Sequence, residues 1–200
     1  LKKSPKLLIN ASAIGFYGTS QALKFTEENS AGKDFLANLC SKWEDTAKQK
    51  PRGTRLLIIR IGIVIGNNGG ALGKMLPVFR SGLGGPIGDG QQWMSWIHRT
   101  DLCNIIQNAL TNKSWSGVIN GVSPNPIRMI EFSKTLGKSL GRPSLLPVPS
   151  PILKLLLGDG ARVVLEGQYV QSIRLKRLGF KFLYPDLADA IAAATRKLNH

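Results

Sequence analysis

Buried strands and amphipathic helices alternate in the pattern of apolar and polar positions along this chain. Short apolar runs bounded by turn residues predict strands, and apolar residues three or four positions apart predict helices. Strands are predicted at 6–12, 55–61, 93–98 and 118–120, and helices at 34–48, 75–79, 101–110, 131–140 and 186–198. Strands that alternate with helices are typical of an α/β fold with a parallel sheet.

Two helix starts carry the clearest local signals. Asp34 or Ser30 is predicted to cap the helix that ends near Lys48, and Asp101 is predicted to cap the helix at 101–110. The apolar stripe of the first of these helices is predicted from helical spacing. Its members are Phe35 or Leu36, Leu39, Trp43 and Ala47.

A ligand crevice is predicted where the strand that begins near Arg55 leaves the sheet. The β-branched run at 60–65 ends in Gly-Asn-Asn-Gly-Gly, which is typical of a buried strand followed by a tight turn. In open α/β sheets, ligands bind outside the carboxyl ends of the strands. Residues 67–98 are therefore predicted to form an insertion on the substrate side.

A proline-punctuated segment at 142–149 predicts a domain boundary. Residues 1–142 would form the C-terminal half of a Rossmann-like parallel sheet with its helices. Residues 143–200 would form a small, mostly helical unit. Further helical segments within it are predicted at 152–157, 161–165 and 169–178.

The charge balance narrows the possible partners. Lys and Arg outnumber Asp and Glu by 27 to 12 in 200 residues, which gives a net charge of +15. Scattered surface cations or an anionic partner, such as a phosphorylated cofactor, would each account for this excess. The cations form no long block and no aromatic-basic pattern of an RNA-binding sheet, so nucleic acid is not predicted as a partner.

Three other classes are also disfavoured. Cys40 and Cys103 are far apart and lie in predicted helices, which favours a reduced, cytoplasmic protein over a disulfide scaffold. Two cysteines and two histidines provide no ligand cluster, so no metal site is predicted. The apolar runs are too short for a transmembrane span.

Several short motifs together resemble a known family. They are RIGIVIG at 60–66, GGAL at 69–72, GGP at 84–86, GDGQ at 88–91 and WIHRTDL at 96–102. They are similar to the later half of the extended short-chain dehydrogenase/reductase superfamily, in its nucleotide-sugar epimerase-like branch. Among these, the YfcH-like proteins, often labelled SulA-like cell-division inhibitors, resemble the chain most, and weaker matches extend over the whole chain.

The resemblance implies a cofactor, NADP or NAD, and a small-molecule substrate of the nucleotide-sugar type. By its motifs, Ser12 and Tyr17 are expected to be catalytic, and Ser12, Arg60 and Gly62 to bind the cofactor. The residues expected to bind substrate are Gly69, Gln91, Trp96 and His98.

Most of these residues also have a structural alternative. Ser12 could satisfy a turn, and Tyr17 could pack beneath a loop. Arg60 suits phosphate, yet an ion pair would use it equally well. His98 could transfer protons or could be a hydrogen-bonded structural residue beside a helix cap. The glycines serve backbone geometry first.

Two features of the superfamily are absent from the sequence. No Gly-x-Gly-x-x-Gly turn occurs near the start, so the chain is predicted to be a fragment that lacks roughly the first half of the Rossmann domain. No Tyr-x-x-x-Lys pair occurs, and Leu36 and Cys40 fall at its expected positions. The rival hypothesis is therefore a non-catalytic interaction protein, either homo-oligomeric or bound to a division-related partner.

Overall fold

The computed structural model describes residues 4–66, 69–144, 146–148 and 166–196. The strands are β1 (Leu7–Ala13), β2 (Ser20–Phe25), β3 (Arg55–Ile61), β4 (Ile63–Ile65), β5 (Trp93–Met94), β6 (Trp96–His98), β7 (Gly117–Gly121), β8 (Ile127–Arg128) and β9 (Gln168–Val170). The helices are α1 (Phe35–Lys48), α2 (Gly70–Arg80), α3 (Arg99–Thr111), α4 (Met129–Leu140), α5 (Ile173–Arg177) and α6 (Leu187–Thr195). A 3₁₀ helix, Ile14–Tyr17, follows β1 directly.

The central sheet has the order β1-β3-β7, and both of its pairings are parallel. Parallel neighbours need crossover connections, and α1 and α3 lie in the connections from β1 to β3 and onward to β7. The predicted α/β class with a parallel sheet is confirmed. The register aligns Ser12 with Arg60 and Arg60 with Asn120, so three polar residues lie side by side near the carboxyl ends of the strands.

Gly62 marks the point where the chain changes sheets. Its N–H bonds to the carbonyl of Gly121, the last residue of β7, and the next N–H, that of Ile63, bonds to the carbonyl of Ser95. A Cβ at Gly62 would lie 2.5 Å from the carbonyl oxygen of Ser95. The residue must therefore be glycine for the strands to approach this closely. β4 then pairs with β6 in a separate two-stranded parallel sheet.

The predicted strand at 93–98 is in fact two short strands that face different partners. β5 runs antiparallel to β8, and β6 runs parallel to β4. Ser95 lies between them, where its hydroxyl donates to the Gln168 carbonyl and accepts from the Val170 N–H. Those two bonds connect this region to β9, which pairs with β2.

Three apolar clusters form the core of the described residues. The largest joins α2, α4 and α6 to the buried side chains of Met94 and Trp96. In it, Leu187 and Ile191 of α6 share one cluster with Phe132 of α4, across the predicted boundary near residue 142. The division into two domains stays a prediction. The helices predicted at 152–157 and 161–165 lie outside the described residues.

The predicted apolar stripe of α1 was wrong except at Ala47, which is buried. The helix begins after Asp34, whose carboxylate accepts the N–H of Ala37. Of the two predicted N-caps, Asp34 and Ser30, the structure therefore confirms Asp34. The buried side of the helix, however, consists of Ala37, Cys40, Glu44 and Ala47, and Phe35 and Trp43 are 78% and 50% exposed. Small side chains let the helix lie close to the sheet. Glu44 is buried because it has a charged partner there.

The N-cap of α3 was also predicted wrongly. His98 holds that position, and its Nδ1 accepts the N–H of Thr100 at 3.2 Å. Asp101 lies in the first turn, fully buried, and accepts the N–H groups of Leu183 and Tyr184. Its carboxylate therefore fixes the segment before α6 rather than the start of its own helix.

Two further elements differ from the sequence prediction. β2 was not predicted, because four of its six residues are exposed and only Phe25 is buried. The segment 169–178 was predicted as helical throughout, yet it begins within β9 and continues into the short helix α5. Pairing with β2 outweighs helical spacing in this segment.

Candidate functional site

A buried ion pair lies beneath the carboxyl end of the central sheet. Arg60 of β3 is 4% exposed, and Glu44 of α1 is 1% exposed. The guanidinium donates from Nε to Oε1 and from Nη2 to Oε2 of Glu44, both at 2.8 Å. Burial alone would lower the pKa of Arg60, but its hydrogen bonds to Glu44 and Tyr17 raise it above the ordinary value. Arg60 therefore stays charged and has a two-bond partner.

Tyr17 extends this pair to the next strand. Its hydroxyl accepts from Nη1 of Arg60 at 2.9 Å and donates to Oδ1 of Asn120 at 2.7 Å. The amide of Asn120 in turn donates to the Gln171 carbonyl. Burial raises the pKa of Tyr17, although Arg60 opposes the shift. The phenol is consequently neutral near pH 7 and serves as a buried hydrogen-bonding group.

Ser12 completes the group, which we call the polar network: Ser12, Tyr17, Glu44, Arg60 and Asn120. Its hydroxyl donates to Oε1 of Glu44 at 2.8 Å, and the residue is 5% exposed. Three residues that the sequence singled out, Ser12, Tyr17 and Arg60, are thus brought together. Their donors, however, bond to other protein groups. These contacts favour the structural alternatives, and the catalytic and cofactor-binding roles stay predictions.

An apolar cavity of about 270 Å³ lies beside the network, at the carboxyl ends of β1 and β3. We call it the α1 cavity, because α1 and its cap contribute one wall. Gly62 lines it through its backbone. The apolar side chains on its walls are aliphatic, sulfur-containing or aromatic: Ile14, Leu36, Cys40, Ile61, Ile63, Trp93 and Met94.

Leu36 and Cys40, at the positions where the resemblance leads us to expect the Tyr-x-x-x-Lys pair, both line the α1 cavity. They are four residues apart and so share one face of α1. Burial raises the pKa of the Cys40 thiol, and its hydrogen-bonding contacts with Ala13 and Ser12 oppose the shift. A neutral thiol and an aliphatic side chain provide neither the acidic phenol nor the cation of the usual pair.

The polar groups that line the α1 cavity belong to two sets. Ser95 and Gln168 are buried and bonded internally, and the Gln168 amide donates to the Ile14 carbonyl at 3.0 Å. Thr19, Asp34 and Glu166 are exposed and line its solvent side. The Thr19 hydroxyl donates to the Glu166 carboxylate at 3.4 Å. Among the described residues that line the α1 cavity, the ionisable side chains on this side are those of Asp34 and Glu166.

The four residues predicted to bind substrate do not line the α1 cavity among the described residues. Trp96 is fully buried in the largest core cluster, and its indole donates to the Asn125 carbonyl. His98 is buried at the start of α3, and its ring lies 4.0 Å from the Tyr184 ring. Gly69 and Gln91 are exposed. Their substrate-binding role stays a prediction.

His98 has the environment of a structural histidine. Burial lowers its pKa, and the nearby charge of Asp101 offsets the shift only in part. Its Nδ1 accepts a backbone N–H in the capping bond, which requires an unprotonated nitrogen. The neutral form therefore stabilises the helix start.

Sequence reasoning missed three residues that hold this region together. Glu44 and Asn120 belong to the polar network, and Glu27 ties the loop after β2 to β7 and α5. The Glu27 carboxylate accepts from the Asn120 N–H, the Ser172 hydroxyl and the Ile173 N–H. A carboxylate on a loop is usually a surface residue, so no sequence signal marks Glu27 as a buried hydrogen-bond acceptor. Glu44 alone had an indirect signal, as a charged residue four positions after Cys40.

Among the described residues, no group of three or more His, Cys, Asp or Glu side chains could hold a metal ion. In the same part of the chain, no helix is long and apolar enough to cross a membrane.

The chain is similar to known proteins over most of its length. A family model described as a domain of unknown function, DUF1731, matches residues 148–194. The "Epimerase family protein SDR39U1 homolog, chloroplastic" of Arabidopsis thaliana is 53% identical over 189 residues, which cover 94% of this chain and 54% of that protein. Human epimerase family protein SDR39U1 (isoform 2), crystallised with NADPH, is 38% identical with a TM-score of 0.89 over 95% of this chain and 65% of that one. The nucleoside-diphosphate sugar epimerase of Corynebacterium glutamicum is 33% identical with a TM-score of 0.75, over 94% and 37% of the two chains.

The homologues are thus epimerase family proteins, and this chain shares their Rossmann-like α/β fold. It spans a little more than half of the Arabidopsis relative and about two thirds of the human one. These names support the epimerase-like resemblance and give no support to the cell-division branch. The prediction that the chain lacks the first half of the Rossmann domain stays a prediction. The cytoplasmic location also stays a prediction, since the Arabidopsis relative is named as chloroplastic.

Proposed function

We propose that this chain is the substrate-side part of an NADP(H)-binding protein of the epimerase type, with NAD(H) as the other candidate cofactor. One observation carries the proposal. A human protein crystallised with NADPH matches 95% of the chain with a TM-score of 0.89 and 38% identity. That similarity supports the same course of the backbone around the α1 cavity in the two proteins.

The α1 cavity fits the reacting end of such a cofactor. It lies at the carboxyl ends of parallel strands, where α/β folds bind nucleotides. Its volume of about 270 Å³ is below the common range for ligand pockets, so it has room for one end of a dinucleotide and not for the whole. When bound, the cofactor supplies hydride transfer. The backbone of Gly62 and the walls at Ile14 and Ile61 would hold its flat ring.

The residues of this chain differ from those that usually carry out acid–base chemistry in the superfamily. Leu36 and Cys40 offer no equivalent of an acidic tyrosine assisted by lysine. Ser12 and Tyr17 donate their hydroxyl hydrogens to Glu44 and Asn120. In a reaction these two residues would thus keep the network in place beside the cavity. The predicted nucleotide-sugar substrate rests on the resemblance and on the name of the C. glutamicum neighbour.

Calorimetric titration of NADPH tests the proposal. It should use the 200-residue chain and the longest polypeptide expressed from its reading frame. We expect the longer polypeptide to bind NADPH, and Leu36→Trp, which narrows the α1 cavity, to weaken binding by at least about tenfold. Leu110→Trp is the matched control, because Leu110 is an exposed leucine on α3, and it should change the affinity less than about twofold. Absence of binding to the longer polypeptide, or equal effects of the two substitutions, would overturn the proposal.

The alternative of a non-catalytic interaction protein remains a prediction. The relatives are named as epimerases, and their names give this alternative no support. Its discriminating result is an intact protein that binds NADPH and leaves carbonyl compounds and nucleotide sugars unchanged.

A further inference from the structure

We infer that the amino ends of the central strands form a docking surface for a membrane that contains anionic phospholipids. We call this surface the basic edge, and it comprises Lys6, Lys50, Arg52, Leu110 and Lys113. The α1 cavity lies at the other end of the sheet, at the carboxyl ends of β1 and β3. Docking through the basic edge would therefore leave the cavity accessible, whatever binds there.

Three connecting segments meet at the amino ends of the parallel strands. Residues 4–6 lead into β1, residues 49–54 join α1 to β3, and residues 112–116 join α3 to β7. The first two are in direct contact, because the Thr54 hydroxyl donates to the Pro5 carbonyl at 2.7 Å. Neighbouring strands lie about 4.8 Å apart, so segments that enter neighbouring strands share one side of the molecule.

Two arginines at this end already have partners within the protein. The guanidinium of Arg55 donates to the Ala109 carbonyl at 2.8 Å and to the Trp115 carbonyl. Arg174 donates to the Ser116 carbonyl at 2.8 Å. These bonds satisfy carbonyl groups at the end of α3 and before β7, which helices and strand starts leave unpaired. Both arginines therefore have a structural role, and neither belongs to the basic edge.

The cations of the basic edge have no carboxylate beside them in the chain. The three segments carry four of them: Lys6, Lys50, Arg52 and Lys113. The same segments contain no Asp or Glu. Among the described residues, none of the four forms an ion pair, and Asp45, in the last turns of α1, pairs with Lys48 at 2.8 Å. Three of the four are exposed, and Lys50 is half-buried.

The helix ends at this edge do not neutralise these cations. Both α1 and α3 end here, and each helix C-terminus carries about half of a negative elementary charge. The two termini together thus offset about one of the four positive charges. The remaining excess attracts anions to this side of the protein.

An exposed leucine lies among the cations. Leu110 is in the last turn of α3 and is 64% exposed. It directly follows Ala109, whose carbonyl accepts from Arg55, and it precedes Lys113 by three positions. At a bilayer surface, cations meet lipid phosphates while apolar side chains enter the acyl boundary. An acidic protein segment would pair with the cations but would offer no such layer to Leu110, so the combination favours lipid.

Cosedimentation of the 200-residue chain with lipid vesicles tests the inference. One set of vesicles contains equal parts of phosphatidylserine and phosphatidylcholine, and the other contains phosphatidylcholine alone. We expect binding to the first set to be at least about tenfold tighter, and to weaken as the salt concentration rises.

Two pairs of variants separate the basic edge from the overall charge and from exposed leucines in general. Arg52→Gln with Lys113→Gln should weaken binding roughly 25-fold, because each cation near an anionic membrane contributes about fivefold. Lys134→Gln with Lys138→Gln is the matched control, since both lysines are exposed on α4 and the net charge changes equally; it should weaken binding less than about threefold.

Leu110→Ala should weaken binding about fivefold through the lost apolar contact, and Leu23→Ala, at an exposed leucine of β2, less than about twofold. Equal binding to the two sets of vesicles, or equal weakening by the two double variants, would overturn the inference. Displacement of the chain from vesicles by polyglutamate, together with no effect of Leu110→Ala, would also overturn it and would assign the basic edge to an acidic protein segment.

Discussion

The polar network and the α1 cavity are neighbours on the same helix, and they differ in almost every chemical property. Leu36, Cys40 and Glu44 follow one another at intervals of four residues on α1. The first two line the cavity, and the third enters the network. The network contains an ion pair, a serine bonded to its carboxylate and a tyrosine that links its guanidinium to Asn120. The cavity instead has mainly apolar walls, and its buried polar groups are bonded internally.

This difference separates residues that look catalytic from residues that face a ligand. Ser12, Tyr17 and Arg60 have reactive side chains, but their donors bond to protein groups. Leu36 and Gly62 have no reactive group, yet they line the cavity. The network would thus stabilise the strand ends, and the cavity would determine what binds.

The largest expected effect is on the ion pair. Arg60→Met would leave Glu44 charged and buried without its partner, and we expect the free energy of unfolding to fall by about 3–5 kcal/mol. Urea denaturation would measure the loss. The double variant Arg60→Met with Glu44→Leu is the control and should be more stable than Arg60→Met alone, because no unpaired charge remains. A loss below about 1 kcal/mol for Arg60→Met would show that the network contributes little to stability.

A smaller loss is expected where the cavity meets the sheet. Gly62→Ala would place a Cβ 2.5 Å from the Ser95 carbonyl oxygen, and we expect a loss of about 1–3 kcal/mol in the free energy of unfolding. Gly73→Ala on α2 is the matched control, since among the described residues no atom outside its own stretch of helix lies within 4 Å of the added Cβ. That substitution should stabilise the protein by about 0.5–1 kcal/mol. If the two substitutions changed the stability equally in thermal denaturation, the close approach to Ser95 would not be the reason why glycine is needed at position 62.

Acidification should destabilise the protein through His98. Because burial lowers its pKa in the folded state, the unfolded chain binds the proton more readily. Its contribution to stability is therefore full above the unfolded pKa of about 6.5 and is lost as the pH falls through the folded value. His98→Asn keeps a capping side chain without titrating.

The measurement for His98 is the urea midpoint at pH 7.5 and pH 5.5 in both proteins. The variant should lose less stability over this interval than the unmodified protein. An equal loss in both would mean that other groups cause the pH dependence and that His98 titrates normally.

The smallest effect is kinetic and concerns the two cysteines. Cys40 is buried with a raised pKa, whereas Cys103 is exposed. At pH 7.5, iodoacetamide should modify Cys103 first and Cys40 at least about tenfold more slowly, because the thiolate is the reactive form. Mass spectrometry of Cys40→Ser and Cys103→Ser separates the two rates. Comparable rates would show that iodoacetamide reaches Cys40 freely and that the pKa of its thiol is not raised.

The sequence predicted the central sheet well, because its strands are short, mainly apolar segments bounded by turn residues. β1, β3 and β7 lie within one or two residues of their predicted positions. The buried side of α1 could not be predicted from its large apolar residues, since the helix packs through Ala37, Cys40 and Ala47 and leaves Trp43 half exposed. Small residues permit close packing but carry little periodic signal.

The candidate site could be located but not interpreted from the sequence. Its place at the strand ends follows from the topology, and the motifs singled out Ser12, Tyr17 and Arg60. The partner of Arg60 depends on a contact between residues that are 16 positions apart, which no local pattern shows. The charge at the opening depends on Glu166, which is far along the chain from Asp34. Contacts of this kind arise from tertiary packing alone.

The separation of network and cavity is tested most directly by two variants measured in two ways. Leu36→Trp and Tyr17→Phe would each be assayed for NADPH affinity in the longer polypeptide and for free energy of unfolding. We expect Leu36→Trp to weaken binding by at least about tenfold and to change stability little, because Leu36 is 36% exposed. Tyr17→Phe removes the hydroxyl between Arg60 and Asn120. It should lower the free energy of unfolding by about 1–3 kcal/mol and leave the affinity within about twofold. If Tyr17→Phe weakened binding as much as Leu36→Trp, the network would be part of the binding site, contrary to the separation described here.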